Sequence, residues 1–79
     1  MGDRVPGGAE QPRGVPIAEQ TIRLGQLLKL AGLADSGAHA RELVQDGRAT
    51  VNGEVELRRG RRLSRGDTIA VAGEAVRVA

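Results

Sequence analysis

Residues 24–57 read LGQLLKLAGLADSGAHARELVQDGRATVNGEVEL, and two periodicities follow one another within them. Leu24, Leu27, Leu28 and Ala31 recur at i, i+3, i+4 and i+7, which puts them on one face of a helix. Gly32 stands where a left-handed C-terminal cap belongs. A second helix is expected to begin at Ser36, with Asp35 and Ser36 competing as N-cap, because a side-chain oxygen there satisfies an otherwise free backbone N–H. Its apolar positions are Ala40, Leu43 and Val44, and Gly47 closes it. Helices this short are unstable alone, so each needs the other and a sheet to cover its stripe. After Gly47 the period becomes two. Ala49, Val51, Val55 and Leu57 are expected to point inward, and Thr50, Glu54 and Glu56 outward. Asn52-Gly53 between the two halves marks a hairpin, since both residues tolerate the positive φ of a type I′ turn.

Working outward, Ile17 to Arg23 favours a short strand before the first helix. On the other side, Ser64-Arg65-Gly66-Asp67 reads as a turn. Ile69 and Val71 alternate, Ala72-Gly73-Glu74 turns the chain, and Val76 and Val78 form a last strand. The order (β)ααββββ predicts an α+β fold, two short helices packed on a small, mostly antiparallel, bent sheet. Residues 1–16, MGDRVPGGAEQPRGVP, hold all three prolines and show no period. They read as a disordered, dispensable tail, which leaves residues 17–79 as the single folded domain.

Composition excludes several function classes. The chain has 79 residues and no Phe, Trp or Tyr, so its core must come from Leu, Ile, Val and Ala. No Cys is present, which excludes disulfides, iron–sulfur clusters and thiolate zinc sites. A single His excludes a multi-histidine metal site, and no metal or cofactor is expected. The apolar runs are too short to span a membrane, and the first residues lack the apolar stretch of a signal peptide. A cytoplasmic monomer is the default expectation. Net charge is only +2, yet residues 58–65 contain five Arg and no acid.

Catalysis finds little to work with. Ser36 and His39 are the one nucleophile–base pair close in sequence, and helix capping accounts for them. Glu54 and Glu56 read as solvated strand positions. Gly7-Gly8 lacks the strand and the Lys-Ser/Thr of a phosphate loop. The chain is therefore not expected to be an enzyme. The Arg run is more informative. It is either a solvated charged loop or a surface for a polyanion, and the planar guanidinium fork suits phosphate. Lys29, Arg48 and the half of the second helix holding Gly37 and His39 extend the candidate surface. Small residues at a helix start either expose its N–H groups to an anion or serve packing; both readings stay open at Gly37 and Ala38. Without aromatic residues, base stacking is unavailable, so nucleic acid would be held through phosphate, sugar and shape.

The combined string resembles the S4 RNA-binding domain: Arg23-Leu24, Leu27-Leu28, Ser36, Ala40-Arg41, Leu43-Val44, Gly47, Val51-Asn52-Gly53, Gly66-Asp67 and Ile69. Leu24-Gly25-Gln26-Leu27-Leu28-Lys29, Asp35-Ser36-Gly37, and Asn52-Gly53-Glu54 through Arg58-Arg59-Gly60 resemble more closely the short, stand-alone, YbcJ-like bacterial members. The resemblance implies an αL motif, in which RNA lies against the helix pair and the nearby hairpin. Structured RNA, ribosomal or transfer, would be the partner, and ribosome association is left open. Arg23, Ser36, Arg41, Arg48 and Thr50 match positions on that surface. Many family members carry a basic residue after the serine, where this chain has Gly37. Arg58, Arg59, Arg61 and Arg62, expected at an exposed hairpin end, would compensate; this point comes from charge. Two rival readings are an adaptor whose Arg cluster meets an acidic protein, and a module that delivers RNA to an enzyme on another chain.

Overall fold

The computed structural model describes residues 12–79. Along the chain it forms strands β1 (Arg13–Val15) and β2 (Thr21–Arg23), helices α1 (Leu24–Leu30) and α2 (Gly37–Gln45), and strands β3 (Ala49–Val51), β4 (Glu54–Val55), β5 (Arg62–Ser64), β6 (Thr68–Val71) and β7 (Glu74–Val78). Both helices end where their caps predict. Gly32 has φ +77° just past the α1 C-cap Ala31, and Gly47 has φ +74° past α2. Ser36 is the N-cap of α2, its Oγ accepting the His39 N–H at 3.1 Å.

Five strands form one sheet in the order β1-β7-β6-β3-β4, antiparallel except for β1 beside β7. β2 and β5 form a separate antiparallel pair. The helices pack on each other, and Leu24, Leu27, Leu28 and Val44 bury fully with Leu63, Ile69, Val76 and Val78. The core is aliphatic throughout, as an aromatic-free chain requires. No helix among the described residues is long and apolar enough to cross a membrane.

Three expectations are corrected. First, the tail does not reach Pro16. Arg13–Val15 pairs in parallel with Val76–Val78, Val15 is buried, and the Ala79 N–H donates to the Val15 carbonyl at 2.9 Å. The remainder of the expected tail, residues 1–11, lies outside the described residues.

Second, the inward face of the Asn52–Gly53 hairpin is reversed beyond the turn. Asn52 (φ +53°) and Gly53 (φ +90°) adopt the expected left-handed pair. A two-residue loop puts Glu54 opposite Val51 and Val55 opposite Thr50. Cross-strand partners share a face, so the inward positions change from odd to even numbers across the turn. Val55 and Leu57 are exposed, and Glu56 is buried at 8% exposure, its N–H donating to the Ala49 carbonyl; Glu54, at the sheet edge, is exposed as expected.

Third, Arg62–Ser64 is a strand. Leu63 is the sole apolar residue between Leu57 and Ile69, too little for a visible period, and its pairing with Ile22 makes the strand.

Candidate functional site

The segment from Glu56 to Arg61 is a loop folded back onto the start of α1. Its backbone carbonyls take the first helical N–H groups, Leu24 N–H to Arg61 O at 2.8 Å and Gly25 N–H to Arg59 O at 3.0 Å. Those donors have no partner within their own helix, so the loop caps α1 from a distant part of the chain. Arg23 completes the joint, donating from its guanidinium to the Gly60 carbonyl at 2.9 Å.

Glu56 organises the loop from within. Oε2 accepts the Arg58 N–H and Nε, each at 3.0 Å, and Oε1 accepts Arg61 Nη1 at 2.7 Å and Arg58 Nη2 at 3.3 Å. These donors, Arg58's first and Arg61's next, hold the carboxyl well below its ordinary range, at about 2, and the Arg58 guanidinium is pushed up in return. Arg58, Arg59, Arg61 and Arg62 are thus not equivalent charges at a hairpin end, as the sequence suggests. Two of them serve a buried acid.

Beside the loop lies an open groove of about 300 Å³, lined by Arg23, Gln26, Lys29 and Arg59 together with Gly25, Gly37, Ala40 and Gly60. Three segments contribute its cations: the entry to α1, the end of α1 and the loop. Arg62 is the cross-strand partner of Arg23 and so shares its face. Gly37, the first residue of α2, lines the groove, and a Cβ there would meet nothing within 4 Å. Packing therefore does not require a glycine at that position. Arg41 is exposed one helical turn beyond Gly37. The side chain of His39 is turned to its own backbone, Nδ1 accepting the Asp35 N–H at 3.0 Å.

Other expected site residues sit apart from the groove. Arg48 is exposed past α2, and Thr50 is half-buried on β3 between Val55 and Ala70. The sequence reading missed Gly25, Gln26 and Glu56. A glycine inside an apolar helical period was the available signal for Gly25, since it weakens the helix unless something must approach closely. Among the described residues no group of three or more His, Cys, Asp or Glu could hold a metal ion.

A family model described as S4 domain matches residues 15–79. The chain is 39% identical to YbcJ of Escherichia coli (strain K12) over 57 residues, which span 72% of this chain and 81% of that protein. It is also 39% identical to RlbA of Bacillus subtilis (strain 168), a probable ribosome maturation protein, over 59 residues, 75% of this chain and 83% of the relative. The solution structure of E. coli YbcJ, which contains an αL motif involved in RNA-binding, superimposes with a TM-score of 0.69 at 30% identity. That match covers 100% of this chain and 96% of the other. The 30S ribosomal protein S4e of Thermoplasma acidophilum shares the fold, with a TM-score of 0.59 at 22% identity over 76% of this chain and 32% of its own.

Proposed function

The chain belongs to the S4 domain family, and on that premise we propose that it is a non-catalytic RNA-binding protein, working in the cytoplasm on structured RNA of the ribosomal or transfer class. The observation that carries this reading is the groove in which Arg23, Lys29 and Arg59 converge beside the start of α2. Cations from separate segments meet there at the spacing of side chains, where a folded phosphate backbone can engage several at once. The open first turn of α2 adds N–H groups and the positive end of a nine-residue helix. Phosphate and shape are the features such a surface can read, because the chain has no aromatic ring on which a base could stack. The likeness to YbcJ, whose αL motif is involved in RNA-binding, supports the same reading.

Each phosphate contact releases condensed counterion, so affinity for RNA falls steeply with salt. Replacing Arg59 and Arg62 with Gln is expected to lower the salt slope by about one to two units, about equally for all RNAs. Arg41→Gln is expected to weaken a structured RNA more than a random single strand. Binding of a labelled RNA hairpin and an unstructured strand across a salt series checks both. An unchanged slope in the folded double variant moves the function to an acidic protein partner. Crosslinking followed by RNA sequencing identifies the target.

A further inference from the structure

We propose that Glu56 and Gly25 are positioning residues for RNA: together they single out Arg59 among the arginines of the 58–61 turn and hold its guanidinium in the groove. The inference rests on the RNA-binding reading and makes it sharper.

Arg58 and Arg61 flank Arg59, and both are drawn to the Glu56 carboxylate. That carboxylate is buried because hairpin parity turns residue 56 inward beside Ala49. Arg58 remains 74% exposed and Arg61 is half-buried, but both guanidinium groups are engaged by Glu56, so in the turn closed by the Arg61 N–H to the Arg58 carbonyl at 3.1 Å Arg59 is the cation without a carboxylate partner among the described residues. The Arg59 guanidinium has no ion pair or side-chain hydrogen bond among the described residues.

Gly25 then sets where Arg59 points. Its N–H fixes the Arg59 carbonyl, and its bare Cα supports the Arg59 stem. A Cβ at residue 25 would lie 2.6 Å from Arg59 Cγ and 3.1 Å from Cδ. The Arg59 side chain therefore crosses α1 in space that only glycine leaves open, and it enters the groove that Arg23 and Lys29 line. A flexible arginine free on a surface would lose rotamer freedom on meeting a phosphate. Here the backbone bond and the stem contact have already removed part of that freedom before RNA arrives.

Charge alone and positioning predict opposite signs. Removing an acid from a polyanion-binding protein strengthens binding if only net charge matters, and the exposed Glu54 reports that effect. We expect Glu54→Gln to tighten a labelled RNA hairpin slightly. Glu56→Gln is expected to weaken it by about threefold or more and to lower the salt slope by about one unit, the loss of one phosphate contact. In an Arg59→Gln background the weakening should vanish and leave only the small gain seen at Glu54.

Tightening by Glu56→Gln, or the same weakening with Arg59 absent, overturns the proposal while wild-type binding upholds the RNA reading. Wild-type protein that binds neither hairpin nor transfer RNA overturns both. Gly25→Ala changes no charge and carries the test if Glu56→Gln does not melt cooperatively. It should weaken binding to a similar extent, and unchanged affinity in that variant overturns the proposal as well.

Discussion

Val15 is the residue by which β1 is joined to the core, and shortening it measures that joint. The side chain is 3% exposed and lies in register with Val78. Val15→Ala removes two methyl groups, worth about 0.8 kcal/mol each in transfer from water. The void left behind adds to this, for a loss of about 1.5–2.5 kcal/mol. The β1–β7 ladder and the Ala79 N–H bond to the Val15 carbonyl use backbone atoms, so they survive the change. A domain of this size has a total stability of about 4–12 kcal/mol, and the melting midpoint should fall by about 10 °C. Far-ultraviolet circular dichroism is the suitable probe, because a chain without Phe, Trp or Tyr has no aromatic signal to follow. Val55→Ala is the control. Val55 is 59% exposed, and its truncation should cost within about 0.5 kcal/mol. Equal midpoints for the two variants would refute the docking of β1, and with it the folded boundary placed ahead of Arg13.

Gly53→Val forces a β-branched side chain to φ +90° and should cost about 1–2 kcal/mol, clearly more than Glu54→Gln, in urea titrations of both. Ser36→Ala removes the acceptor of the His39 N–H and should cost about 1 kcal/mol; an unchanged midpoint with weaker RNA binding would reassign Ser36 from the helix to the ligand. Acid titration isolates Glu56. Its folded value of about 2 lies below the ordinary 4.5, so the unfolded chain takes up a proton first and stability drains away as pH falls through that interval. Asp67, also lowered, chiefly by the Ser64 N–H, contributes in the same direction. Glu56→Gln should flatten only its own share of the loss, and identical pH profiles for variant and wild type would show that the ion cluster does not stabilise the fold.

What could be read from the chain was local. The leucine spacing of α1, the Ser36 cap, the closing glycines and the turn at Asn52-Gly53 each depend on residues within a few positions, and each appears in the structure. β1 and β5 were invisible because each has one buried residue, Val15 or Leu63, and owes its existence to a partner far along the chain. The misread hairpin face is a different case. The Asn52-Gly53 turn implies the change of parity that buries Glu56, and the alternation of Val55 and Leu57 in the sequence points the other way. For the groove, the sequence supplied cations and could not sort them. Telling Arg59 from Arg58 and Arg61 needs the position of one carboxylate and of one glycine that lie apart in sequence.

Two exposed apolar side chains, Val55 and Leu57, lie on and just past β4, an edge of the five-stranded sheet. A sheet border is a template on which another molecule can add a strand, and long, flat, apolar borders nucleate aggregates. β4 forms that border here and is two residues long. Immediately beyond it the chain turns a carboxylate inward at Glu56, whose N–H still bonds the Ala49 carbonyl, and the Arg58 and Arg61 guanidinium groups gather on that carboxylate. An incoming strand would find too few free backbone groups for a register and would have to displace an ion cluster to gain more. The residue that organises the basic loop thus also stands where this short edge ends.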